Sequence, residues 1–97
     1  MAELQFSMEP HDASVVASVR GELDVVSSQR FDDFLSEAAA ASDRVVLDLS
    51  GVDFMDTTAL AVIVGHWRRQ VAADGLFFLA GARYRYTKAL WLSLIHI

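Results

Sequence analysis

The sequence predicts an α/β domain whose mixed, mostly parallel β-sheet opens with a β-hairpin and has helices packed on it. Two apolar runs, residues 45–49 and 76–80, are rich in β-branched or aromatic residues and are typical of buried strands. Two other segments, residues 27–41 and 57–73, place apolar side chains at helical spacing. Strands that alternate with helices in this way favour a parallel sheet, because parallel neighbours need a crossover connection.

The chain begins with two strand-like segments, residues 5–9 and 14–20. Pro10 and Asp12 predict a turn between them, which makes the pair a hairpin. The following residues, 21–24, break the alternation of inward and outward side chains. We therefore expect the second strand to end near residue 20.

The first helix is expected from Ser27 or Ser28 to about Ala41, because either serine can cap its N-terminus. Asp32 and Asp33 fall in the early turns, where the helix dipole favours anions. The helical spacing of the apolar residues predicts one stripe that faces the core. That stripe consists of Phe31, Phe34, Leu35 and Ala38.

The second helix is expected from about Thr57 to Ala73, with Asp56 as its N-cap. Asp74 and Gly75 predict a left-handed residue at its C-terminal end. The apolar residues that follow Asp56 at helical spacing predict a second stripe facing the core. That stripe consists of Leu60, Ile63, Val64, Trp67 and Val71.

Composition limits the classes of function. The chain has 97 residues and is 54% hydrophobic, which suits one domain with one core. Its net charge of −5 argues against nucleic acid as a partner, because phosphate binding needs a basic face. No apolar run approaches the ~18–20 residues of a membrane span, and the acidic start does not resemble a signal peptide. We expect a cytoplasmic protein with no membrane partner.

The sequence contains no pattern typical of a metal site or a catalytic site. It has no cysteine, and its histidines are too far apart for metal-ligand spacing, so neither a metal nor a cofactor is expected. His66 is predicted to be a surface or edge residue of the second helix. Asp48, Asp53 and Asp56 do not form an acid–base pair, since Asp48 lies in a predicted strand and Asp53 in a predicted turn. The protein is therefore not expected to be an enzyme.

Two motifs, in their order and spacing, resemble the STAS domain family and, within it, the bacterial anti-sigma factor antagonists. The first is Gly21-Glu22-Leu23-Asp24, and the second is Phe54-Met55-Asp56-Thr57-Thr58-Ala59-Leu60. The resemblance covers about residues 6–92. It implies a single STAS-like domain over residues 1–97.

The resemblance also implies a phosphorylation site. The family's loop usually reads Asp-Ser-Ser-Gly-Leu, and its second hydroxyl residue is phosphorylated. By position that residue is Thr58, with Thr57 as the weaker candidate. The partner surface implied by the resemblance consists of Asp24, Asp56, Thr57, Thr58 and Ala59.

The partner implied by the resemblance is an anti-sigma factor that is itself a serine/threonine kinase. In the family, this kinase binds the unmodified domain, releases its sigma factor, and phosphorylates the domain with ATP and magnesium. A phosphatase that acts on the phosphorylated form is a further implied partner.

Two residues depart from the family's loop. Both hydroxyl residues are threonines, and threonine is chemically able to accept phosphate. Ala59 replaces the usual glycine, and its methyl group is expected to weaken kinase docking if the partner approaches closely there. Without the resemblance, Thr57 and Thr58 would be explained by helix-start chemistry alone.

After residue 80, the sequence predicts a shorter helix over residues 84–92 and the beginning of another strand over residues 94–97. The family typically adds a last strand and a closing helix, so the C-terminus is expected to be truncated. Apolar surface left exposed there would favour weak self-association.

Two functions are compatible with the resemblance. The first is a phospho-switched antagonist that sequesters an anti-sigma factor kinase. The alternative is an unphosphorylated STAS scaffold, such as an accessory subunit of a lipid-transport ATPase or of a stressosome-type assembly. The fold is common to both, so phosphate transfer to Thr58 distinguishes them.

Overall fold

A computed structural model of the protein describes residues 4–81. The elements are β1 (Gln5–His11), β2 (Ser14–Leu23), α1 (Ser28–Ala41), β3 (Arg44–Met55), α2 (Thr57–Ala72) and β4 (Leu76–Ala80). The strands form one sheet in the order β1-β2-β3-β4, in which β1 is antiparallel to β2 and the other pairs are parallel. The predicted fold class is confirmed. The predicted helix over residues 84–92 and strand over 94–97 lie outside the described residues.

One apolar core joins the sheet to both helices. The apolar runs at residues 45–49 and 76–80 were predicted to be fully buried strands, and this prediction was wrong: burial alternates along β2 and the first half of β3, and in β4 only Phe77 is buried. The residues of α1 that were predicted to face the core are all buried, and α1 also contacts α2. The core residues of the sheet are Val15, Ala17, Val19, Leu23, Val45, Leu47, Leu49, Val52, Met55 and Phe77. Within residues 4–81, neither helix is long and apolar enough to cross a membrane.

The hairpin turn is shorter than predicted. Pro10 and His11 belong to β1, and only Asp12 and Ala13 connect His11 to its partner Ser14. A proline is tolerated here because β1 is an edge strand, where a missing N–H removes no bond to a second neighbour. Asp12 has φ 55°, a left-handed conformation that aspartate adopts more readily than most residues.

The second and third strands are longer than predicted. Residues 21–23 continue β2, and β3 extends to Met55, so Asp53 lies in a strand and not in a turn. The register of the β2–β3 pair shifts twice, and Gly21 has φ 110°. In β3 the shifts interrupt the alternation of buried residues, whereas β2 keeps this alternation through Leu23. The extension pairs Leu23 with Met55 and buries both side chains.

The core-facing side of α2 was predicted only in part, since Ile63 is buried and Leu60, Val64 and Trp67 pack against the core as partly buried residues of the helix. Its buried residues are Ala59, Ile63, His66 and Gln70. Of the predicted stripe, only Ile63 is fully buried, and Val71 is 46% exposed. The two polar residues are accommodated because each meets a partner, and Gln70 Nε2 donates to the Ser42 carbonyl at 3.4 Å. Helix α2 is therefore rotated about its axis relative to the prediction.

Candidate functional site at the ends of β2 and β3

Two loops lie side by side at the C-terminal ends of β2 and β3. Leu23 and Met55 are the last paired residues of the two strands, and the Asp56 amide donates to the Leu23 carbonyl at 3.1 Å. Parallel strands end at the same edge of a sheet, so the residues that follow them are neighbours. Asp24 and Asp56, far apart in sequence, therefore begin adjacent loops.

The second loop leads directly into α2. Asp56 is the N-cap, with extended backbone, and its Oδ1 accepts a hydrogen bond from the Ala59 amide at 3.1 Å. The predicted cap is confirmed, and both threonines lie in the first turn of the helix. Thr57 is exposed and Thr58 is half-buried. Among residues 4–81, no group is hydrogen-bonded to either threonine hydroxyl.

Ala59 does not lie on this surface. The residue has no exposed area, and its side chain belongs to the core. Its methyl group thus faces inward, which does not fit the expectation that it meets a partner. Ala59 contributes to the site through its backbone amide, which donates a hydrogen bond to the Asp56 carboxylate.

The first loop, residues 24–27, is held by hydrogen bonds between its two ends. The Asp24 amide donates to Ser27 Oγ at 3.0 Å, and the Ser27 amide donates to Asp24 Oδ1 at 3.1 Å. Ser27 is the N-cap residue of α1, but its side chain makes no cap bond to the helix. Its hydroxyl instead closes the loop, which leaves Val25 and Val26 projecting from it.

A surface groove of about 360 Å³ runs between the two helices from this end of the sheet. Thr58 lines it beside Ser28 of α1, and Arg69 of α2 lies among the residues farther along. The other lining residues are Gln29, Asp32, Ala61, Val62 and Gly65. Small side chains on α2 leave the groove open, so a group added to Thr58 would change a surface that both helices form.

A buried histidine connects the two helices. His66 of α2 is only 5% exposed, and its Nε2 lies 2.6 Å from Asp32 Oδ1 of α1. A carboxylate oxygen accepts, so Nε2 is the donor in this contact. The prediction of a surface or edge histidine was therefore wrong. Spacing places His66 on the same side of α2 as Ala59 and Ile63, at i+7 and i+3, but does not show that this side is the buried one.

The His66–Asp32 contact is expected to stabilise the helix pair. Asp32→Ala should lower the free energy of unfolding by about 1–3 kcal/mol, because a buried ring N–H loses its acceptor. Asp32→Asn keeps a carbonyl oxygen there and should cost less. Arg69 approaches the same Asp32 oxygen at 3.7 Å but is largely exposed, so Arg69→Ala should cost under about 1 kcal/mol. Urea unfolding of the three variants measures this order, and equal losses for Asp32→Ala and Arg69→Ala would contradict it.

Residues 5–91 match the sequence model of the STAS domain family. The chain belongs to this family. The resemblance drawn from the two motifs is thereby confirmed. This STAS domain is 35% identical over 63 residues to the anti-sigma-F factor antagonist RsfA of Mycobacterium tuberculosis, an alignment that covers 62% of the chain and 49% of that protein. The chain spans about half the length of the curated relatives it matches.

Solved structures share the fold of this STAS domain. The anti-sigma factor antagonist SpoIIAA in its unphosphorylated form gives a TM-score of 0.76 at 22% identity, over 90% of this chain and 82% of that one. The phosphorylated form of SpoIIAA from Bacillus gives 0.76 at 23% identity, over 92% and 83%. At this level of identity the likeness shows the fold alone.

Proposed function

We propose that this STAS domain is an anti-sigma factor antagonist whose binding is switched by phosphorylation of Thr58. The observation that carries the proposal is the placement of Thr58 in the first turn of α2, at an open groove, with no hydrogen-bond partner for its hydroxyl among residues 4–81. The relative RsfA, an antagonist of an anti-sigma-F factor, supports the class of partner. SpoIIAA, which shares the fold, has been solved in phosphorylated and unphosphorylated forms.

A phosphate on Thr58 is compatible with the fold. The first amides of an α-helix have no partner within the helix, and the helix dipole favours an anion at this end. The Ala59 amide already donates to the Asp56 carboxylate. The amides of Thr57 and Thr58 can therefore donate to another acceptor. The phosphate would add about −1.5 to −2 charges at neutral pH. We therefore expect modification to leave the domain folded and to act on its surface.

The neighbourhood makes that added charge unfavourable for a bound partner. Glu22, Asp24 and Asp56 lie at the same end of the sheet, in a chain of net charge −5. A partner that binds the unmodified domain must present a surface complementary to these carboxylates and to the neutral Thr58 hydroxyl. Phosphorylation adds bulk and negative charge to the middle of that surface. We therefore expect the kinase to dissociate from the domain once it has phosphorylated Thr58.

Phosphate transfer tests the proposal. The chain would be incubated with magnesium-ATP and purified anti-sigma factors, including the Mycobacterium tuberculosis anti-sigma-F factor and the anti-sigma kinases of the genome that encodes this chain. Mass spectrometry should place one phosphate on Thr58 in the wild type and in Thr57→Ala, and none in Thr58→Ala.

Two outcomes would overturn the proposal. Phosphorylation of Thr58→Ala would place the modification elsewhere. Stable binding of the wild type to an anti-sigma factor that never modifies it would indicate an unphosphorylated scaffold. A phosphatase from the same genome that restores binding of the modified chain would complete the cycle.

A further inference from the structure

The most exposed large hydrophobic side chains among residues 4–81 are adjacent in one short loop. Val25 is 65% exposed and Val26 is 87% exposed. Tight loops are usually built from Gly, Pro, Asn, Asp and Ser, so two β-branched apolar residues at this position are not explained by loop chemistry. Neither belongs to the core or to the apolar residues packed against it. The pair contributes little to folding and needs another explanation.

The loop holds the two valines in a fixed arrangement. Asp24 and Ser27 are joined by reciprocal backbone-to-side-chain hydrogen bonds of 3.0 and 3.1 Å, and by a hydroxyl-to-carbonyl bond of 3.2 Å. Ser28 Oγ adds a bond to the Val25 carbonyl at 3.0 Å. A loop already ordered in this way loses little conformational entropy when a partner covers it.

The valine pair lies beside the proposed phosphorylation site. Leu23 precedes the loop, and its carbonyl accepts a hydrogen bond from the Asp56 amide. Ser28 follows the loop and lines the same groove as Thr58. The loop thus begins beside the start of α2 and ends at the groove that Thr58 lines. We expect a protein that covers the Thr58 hydroxyl to cover Val25 and Val26 as well.

We infer that Val25 and Val26 are the apolar anchor with which this domain holds the anti-sigma factor, an inference that rests on the proposed function. Glu22 and Asp56 lie at the same end of the sheet as the anchor. The matching surface on the anti-sigma factor is an apolar pocket with a basic rim. This assignment also changes the role of Asp24, whose Oδ1 is used inside the loop by the amide and hydroxyl of Ser27. Asp24 positions the anchor.

Calorimetric titration without ATP tests the anchor, using the anti-sigma factor that the wild-type chain binds. The double variant Val25→Ser/Val26→Ser should lose on the order of 30-fold in affinity, since two apolar side chains no longer leave water on binding. The matched control is Val71→Ser, the same change at a 46% exposed position about 20 Å further along α2. Its affinity should stay within about threefold of the wild type.

A second pair of variants separates positioning by Asp24 from direct contact. Asp24→Asn keeps an oxygen that can accept from the Ser27 amide, so affinity should stay within about threefold. Asp24→Ala removes that acceptor and should weaken binding while the thermal midpoint changes little. A loss for Asp24→Asn as large as for Asp24→Ala would show that the charge itself contacts the partner.

The outcomes distinguish this inference from the proposed function. If the wild type binds an anti-sigma factor and the double serine variant binds equally well, the anchor is wrong and the proposed function stands. If the wild type binds none of the anti-sigma factors, both fail. Equal losses for the double variant and for Val71→Ser would also overturn the anchor, because the effect would then not be specific to the loop.

Discussion

Thr58→Glu is expected to bind the anti-sigma factor kinase at least about 100-fold more weakly than the wild type, while folding normally. A carboxylate at the second residue of α2 is favoured by the helix dipole, so the thermal midpoint should not fall. In the complex, the same charge would face a surface suited to a neutral hydroxyl and flanked by Asp24 and Asp56. Like-charge contacts and desolvation in an interface cost several kcal/mol, and each 1.4 kcal/mol is about tenfold in affinity.

The control for this experiment is Thr58→Gln, which has the size of glutamate without its charge. If charge is the cause, the glutamine variant should bind much more tightly than the glutamate variant. Titration calorimetry at two salt concentrations measures both, and the difference should shrink at higher salt because screening weakens surface charge effects. Equal losses for the two variants would assign the effect to bulk. Wild-type affinity for Thr58→Glu would show that Thr58 is not the switch.

Phe31→Ala is expected to cause the largest loss of stability among single changes in the core of α1. Phe31 has no exposed area, and its ring stacks against that of Phe6 on β1 with centroids 6.4 Å apart. Removing a buried aromatic ring typically costs about 3–5 kcal/mol, because apolar contact is lost and a cavity remains. A domain of this size is stable by about 5–15 kcal/mol, so the loss is a large share of the total.

The matched control is Phe54→Ala, the same change at a side chain that is 47% exposed. It should cost less than about half as much, since much of that ring already contacts water. Urea unfolding followed by circular dichroism gives both values. A loss at Phe54 equal to that at Phe31 would contradict the assignment of Phe31 to the core of the described fold.

The two helices show how far hydrophobic spacing predicts packing. In α1 the large apolar residues occupy one side only, so the stripe that includes Phe31 and Phe34 was predicted correctly. Helix α2 carries apolar residues around most of its circumference, and spacing alone does not determine which side is buried. Its rotation depends on contacts distant in sequence, from His66 to Asp32 and from Gln70 to the Ser42 carbonyl. Such contacts cannot be read from a local pattern.

The sequence predicted only those parts of the candidate site that depend on neighbouring residues. The cap at Asp56 depends on residues within one turn, and the sequence showed it. The adjacency of the two loops depends on the pairing of Leu23 with Met55. This pair follows two register shifts that the alternating pattern did not predict. The exposure of Val25 and Val26 was not predicted, because they lie between the predicted end of a strand and the predicted start of a helix, where no periodic pattern applies.

The order of strands in the sheet has a consequence for how the protein is made. Within residues 4–81, each strand after β1 pairs with the strand synthesised just before it, so it can add to an edge that already exists. Short sequence separation between paired segments also favours rapid folding. The two loops at the ends of β2 and β3 come together when β3 joins the sheet, and α2 follows immediately. The surface around Thr58 is therefore expected to form from segments that all precede β4 in the sequence.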